Sequence, residues 1–295
     1  VVMTAVLAMS MMTACGSSKS SEENKATTAA KAETTKAETI DASGVTLVSD
    51  GVLTVGAEMG YAPFETLQKD GKTPEGFDID IITEIAKRLG IEIIPVIADN
   101  GAMGGKKSEE FINTSFDGIL GKIGKDYDVV CSAVTINPTR KKAVLFSTPY
   151  ITNYQTVVVK KGSDLKINSL KDLDGKSVGV QKGTTSDQLM SEYKSTKTIN
   201  VEVAANDKLL NCFTQLTNGE IDAVVVDSTV ADGFVAKNPD KYEKAFSDKT
   251  EPEEFGIAIG KNNAKLQEAI NKALEQMDKD GFLKDTADYW FSSQE

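Results

Sequence analysis

Histidine is absent from the 295 residues of this chain. That removes the commonest metal ligand and the commonest general base, so zinc hydrolysis and Ser-His or Cys-His catalysis lose their usual parts, while carboxylate chemistry stays open. Positive charge is also scarce: 33 Lys and Arg stand against 44 Asp and Glu, a formal net charge of -11. A protein that grips phosphate backbones presents the opposite balance, so no nucleic-acid partner is expected and the acidity reads as solubility. The three cysteines have no CxxC spacing, which argues against a disulfide framework or a redox motif. Cys131 and Cys212 each lie in an apolar stretch and read as small buried side chains. Seven prolines are too few for a Pro-rich fibrous or disordered chain. No metal and no cofactor is predicted.

Long hydrophobic runs are missing too. The apolar run Val1 to Ala14 falls short of the ~20 residues a membrane-spanning helix needs and reads as the core of an export signal. It has neither an initiator Met nor a basic leader, so an upstream piece is expected. Met12-Thr13-Ala14-Cys15, followed by Gly16-Ser17-Ser18, resembles a bacterial lipobox, from which Met12 and Thr13 depart mildly. The resemblance implies lipidation of Cys15 and a lipid anchor on the outer face of the cell membrane, each buried methylene contributing ~0.8 kcal/mol. Residues 16–44, rich in Ser, Thr, Ala, Lys and Glu, cannot offset their ordering entropy by burial and read as a disordered tether.

The remaining length exceeds what one core usually organises, which favours two lobes. Apolar residues at 81, 82, 85 and 89 have helical spacing, with Asp78 placed to cap the start and Gly90 the end. A strand is expected over 91–97, a helix around 116–124 and a strand around 128–132. A second series follows: strand 177–181, helix 186–194, strand 201–204, helix 207–218 and strand 223–226. Two strand-helix series predict two α/β lobes. The extended runs 154–160 and 254–259 read as crossovers, and the helix 264–278 sets Leu266, Ile270, Ala273, Leu274 and Met277 on one core face.

Five segments then share a pattern: Tyr61-Ala62-Pro63-Phe64-Glu65, Gly76-Phe77-Asp78-Ile79-Asp80, the run from Asp128 to Arg140 (DVVCSAVTINPTR), Phe146-Ser147-Thr148-Pro149-Tyr150, and Gly219-Glu220-Ile221-Asp222-Ala223. In this order they resemble the polar amino acid branch of the periplasmic solute-binding proteins, family 3, over about Leu53 to Phe291. The resemblance implies an α/β, two-lobed periplasmic-binding-protein-like fold of type II with a two-stranded hinge. Lobe 1 is expected at 45–153 plus 256–295 and lobe 2 at 154–255, with crossovers near 151–157 and 252–257.

The same resemblance assigns the site. Arg140 would clamp a ligand carboxylate, its planar fork binding both oxygens. Thr135 would assist, and Ser132 and Ala133 would offer backbone groups, Ala133 only these. Thr184 and Thr185 would contribute at the start of a helix, although Gly-Thr-Thr-Ser is also a plain helix cap. Asp227 would pair with an α-ammonium and can also cap the next helix. Tyr61 and Phe116 would wall the ligand side chain, with Phe64 closer to core, and Glu58 at the far end would favour polar or basic ligands. The Gly- and Lys-rich segment 100–113 has no assigned role.

The implied function is the extracytoplasmic binding component of an ABC importer. Its partners would be a free amino acid, a membrane permease and the membrane itself through the anchor, with the protein a monomer and not an enzyme. A cyclohexadienyl dehydratase-like enzyme on the same fold and a sensor for a separate signalling partner stand as alternatives.

Overall fold

The computed structural model describes residues 39–93, 102–103 and 115–291. Cys15, the signal-type run, the tether up to residue 38 and most of the 100–113 segment lie outside the described residues, as does the expected strand beyond Ile93.

Strand β1 (Val55–Gly56) precedes a small hairpin, β2 (Thr66–Leu67) with β3 (Pro74–Glu75), and then helix α1 (Phe77–Leu89). α1 buries Ile81, Ile82, Ile85 and Leu89 on one face, and it ends where predicted, at Gly90 with a left-handed φ of 64°. The predicted start does not hold. Gly76 occupies the cap position, and Asp78 turns inward to accept from the Ala133 amide at 2.7 Å and the Tyr150 hydroxyl at 2.9 Å. Once buried, a carboxylate goes to the donors that packing provides.

Gly76 also has no room for a side chain. Its φ is 140°, and an added Cβ would lie 2.1 Å from the Phe64 carbonyl oxygen, backbone that cannot swing aside. Gly76→Ala is therefore expected to cost about 3 kcal/mol or more, read as a lower urea midpoint at unchanged slope.

Strand β4 (Ala102–Met103) is followed by a 3-10 turn at Ile119–Lys122 in place of the expected helix over 116–124. Gly118 and Gly124 sit at φ of 82° and 79°, conformations a continuous helix does not contain. Then come β5 (Val129–Val130), α2 (Pro138–Ala143), β6 (Leu145–Phe146) and the long β7 (Ile151–Lys160). The second series runs β8 (Ser177–Gln181), α3 (Thr185–Ser195), β9 (Glu202–Asn206), α4 (Leu209–Asn218), β10 (Ala223–Asp227), α5 (Ser228–Lys237) and β11 (Tyr242–Phe255). β12 (Ala258–Ile259), α6 (Ala264–Lys279) and α7 (Phe282–Phe291) close the chain.

Two mixed five-stranded sheets result, ordered β4-β1-β5-β12-β6 and β11-β7-β10-β8-β9, each with helices packed on it, one sheet per lobe. The chain passes between them in β7 and at the end of β11. These two strands pair antiparallel, with a register shift between Asp248 and Glu253. At the passage the Ile136 amide bonds the Glu254 carbonyl and the Tyr150 amide bonds the Phe255 carbonyl, tying the strands to the first lobe. The parallel arrangement of β8, β9 and β10 aims their carboxyl ends at one edge, where ligands bind in open α/β sheets.

Candidate functional site

At that edge a small cavity forms where the loop after β5, the start of α2, the β8–α3 turn and the end of β10 converge. Nine of the eleven residues assigned to ligand contact line it: Tyr61, Phe116, Ser132, Ala133, Thr135, Arg140, Thr184, Thr185 and Asp227. They come from segments up to 166 positions apart, as for Tyr61 and Asp227, so tertiary folding assembles them.

Arg140 owes its place to a short helix start. Asn137 caps α2 by accepting from the Arg140 amide at 2.8 Å, and Pro138 follows at the first turn, where its missing N–H is harmless. Arg140 as a whole is only 8% exposed. It donates to the Thr135 carbonyl at 2.9 Å and, across the cleft, to the Gly183 carbonyl at 3.0 Å, and lies 5.5 Å from the centre of the Phe116 ring. No carboxylate pairs with it among the described residues. Burial lowers its pKa, opposed by the charges of Glu253 and Asp227. A desolvated cation held by neutral groups is a ready anion site.

Asp227 stands on the opposite wall. Tyr61 donates its hydroxyl to one carboxylate oxygen and Asn153 donates to the other at 2.6 Å. Desolvation, with the neighbouring charge of Glu253, pushes the carboxyl up to about 7. Asp227 occupies the cap position of α5, yet its side chain makes no capping bond. Its carboxylate therefore belongs to the cleft.

Several assigned residues line the cavity with their side chains already spent. The Ser132 hydroxyl accepts from the Glu58 amide at 3.0 Å and donates to Glu65 at 2.8 Å. Ala133 adopts φ of 46°, held there by its amide bond to Asp78. Thr184 caps α3: its hydroxyl accepts from the Asp187 amide and donates to the Gln181 carbonyl. The Thr185 hydroxyl instead donates to Glu253 at 2.8 Å and accepts from Gln155 at 3.2 Å.

Glu58 and Phe64 do not line the cavity. Phe64 is fully buried against Phe77, Phe255 and Phe291. Glu58 is buried as well and receives Lys208 at 2.5 Å and Gln181 at 3.1 Å, both from the other lobe. Burial raises its pKa and Lys208 opposes that. A carboxylate with its own lysine no longer argues for a basic ligand, so Glu58 itself carries no selectivity argument.

Sequence reasoning missed Gln181, which lines the cavity, and four residues around it: Asn153, Gln155, Lys208 and Glu253. For two of them a signal existed. Asn153 and Gln155 are amide side chains two apart in β7, the period that puts both on one face. Among the described residues no acidic or thiol cluster is arranged for a metal, and no helix is long and apolar enough to cross a membrane.

The model of the bacterial extracellular solute-binding proteins, family 3, matches residues 53–293. The chain belongs to this family. Among the relatives, the L-cystine-binding protein TcyJ of Escherichia coli is 34% identical over 247 residues, covering 82% of this chain and 84% of that one. The ABC transporter arginine-binding protein 1 of Escherichia coli is 31% identical over 242 residues, covering 80% and 89%. Among solved structures, an ancestral arginine-binding protein bound to arginine is 40% identical, covers 80% of this chain and 96% of that one, and superposes with a TM-score of 0.70. The family 3 assignment spans both sheets and every cavity-lining residue.

Proposed function

We propose that this family 3 protein is the amino acid-binding component of an ABC importer and binds a polar or basic free amino acid between its lobes. One observation carries the reading: a buried, carboxylate-free Arg140 faces a buried Asp227 across one cavity. The pair offers opposite charges to the two charged ends of an α-amino acid. Arg140 takes the carboxylate through its fork, and Asp227 takes the ammonium. Tyr61 and Phe116 flank the side chain, and Thr185 completes the site from the second lobe. The lobes, 45–153 with 256–295 and 154–255, close about crossovers near 151–157 and 252–257, and closure reports occupancy to the permease. Cystine- and arginine-binding relatives support an amino acid ligand and binding without turnover.

The protein works outside the cytoplasm, held by a lipid on Cys15; mass spectrometry of membrane-extracted protein showing an acylated Cys15 is the expected result. The function is tested by calorimetric titration of the ligand-stripped body, lacking residues 1–15, against the amino acids and cystine. One-to-one binding at ~1 μM or tighter to a single chemical subset is expected. Absence of binding with turnover of prephenate or arogenate would replace this reading with the enzyme.

A further inference from the structure

Glu253 lies near the end of β11, in the passage between lobes, opposite Asn153 of β7. One oxygen of its carboxylate accepts from two hydroxyls at once: Thr135 of the first lobe at 2.8 Å and Thr185 of the second at 2.8 Å. The other oxygen accepts from Gln155 at 3.0 Å. Gln155 is fixed in turn, because its own carbonyl oxygen accepts from the Ser186 hydroxyl at 2.7 Å.

A hydroxyl has one proton and two lone pairs, and a carboxylate only accepts. Both threonine protons are thus committed to Glu253, and each hydroxyl can offer the cavity only lone pairs. Thr185 spends one of its own on Gln155 at 3.2 Å. Asp227 lies on the same wall, also an acceptor and also reached by Gln155, at 3.4 Å. The two threonine hydroxyls and the Asp227 carboxylate therefore all present acceptors to the cavity, which suits an ammonium and repels a carboxylate. The sequence reading had given Thr135 to the carboxylate.

We propose that Glu253 is a positioning residue that sets the polarity of the Thr135 and Thr185 hydroxyls and so makes the site selective for ligands with a protonated α-amine. The inference rests on the amino acid reading above. Glutamine at this position presents an amide that can donate, so the threonine hydroxyls are free to turn their protons into the cavity against the ammonium.

The test compares wild type with Glu253→Gln in calorimetric titrations of three pairs, each an amino acid with its counterpart lacking the α-amine: L-cystine with dithiodipropionate, L-arginine with guanidinovalerate, and L-histidine with imidazolepropionate. For the pair that wild type binds, Glu253→Gln is expected to weaken the amino acid about tenfold or more and to leave the counterpart unchanged or tighter, shrinking the ratio between them. Thr135→Val gives a second route, since it removes an acceptor outright: it should show the same selective loss, and the double variant should lose little beyond either single one. A residue with a purely structural role would weaken both members of a pair equally and add to the Thr135→Val loss. An unchanged ratio in Glu253→Gln, or full additivity with Thr135→Val, overturns the inference while leaving the amino acid reading intact. Wild type that binds no compound carrying an α-amine overturns both.

Discussion

Replacing Arg140 by alanine is expected to weaken amino acid binding about a hundredfold or more while the protein stays folded. The magnitude follows from what remains. Without the guanidinium, a ligand carboxylate entering the cleft would meet carbonyl oxygens and the Phe116 ring with no cation beside them, and removing one member of a buried, hydrogen-bonded charge pair costs about 2–5 kcal/mol. The fold should tolerate the change because the ligand-free protein gains little from Arg140: its charge is desolvated and forms no ion pair with a carboxylate among the described residues. Two hydrogen bonds from the guanidinium to the carbonyls of Thr135 and Gly183 are what alanine removes, and the desolvation of the buried cation offsets them. Thermal melting should therefore move by only about a few degrees. Arg140→Lys separates charge from geometry. A lysine keeps the cation but not the fork, so an intermediate loss of about tenfold is expected. Wild-type affinity in folded Arg140→Ala would remove this residue from the site.

What the sequence made legible was what lies close together in it. α1 and α6 follow from helical spacing, and the predicted core face of α6 is buried from Leu266 to Met277. Gly90 ends α1 because a left-handed cap is a local demand. Arg140 and Thr135 were legible for the same reason, since the loop, cap and helix that position them occupy one continuous stretch. The failures are tertiary. Asp78 reads as a cap from its neighbours, yet a buried amide and a buried tyrosine claim it. Helical spacing over 116–124 loses to glycines that take left-handed turns. Lys208 and Glu58 are 150 positions apart, so nothing local announces that the lysine neutralises the carboxylate. Glu253 sits among exposed acidic residues of β11, and only the register shift beside it turns this one into the passage.

A chain without histidine should be nearly silent between about pH 5.5 and 7.5, because no side chain at its ordinary pKa titrates there. Asp227 breaks that silence, its carboxyl raised to about 7 chiefly by burial. Ammonium binding needs the ionised form, so affinity should fall about tenfold for each pH unit below 7 and level off above it. The stability of the ligand-free protein should run the other way. The folded state holds its proton where the unfolded chain has released it, so the stabilisation is present at low pH and is lost as pH rises through about 7. Asp78, also raised to about 7 by burial, adds to the stability trend but lies beneath the site and should not touch the affinity trend. Asp227→Asn separates the two. Its amide cannot ionise, so binding should be about a hundredfold weaker at pH 7.5 and flat with pH, whereas the melting temperature should keep the part of its slope that Asp78 supplies. Calorimetric titration and thermal melting of both proteins across this window measure each trend; a wild-type affinity that does not change with pH would mean that Asp227 does not hold the ammonium.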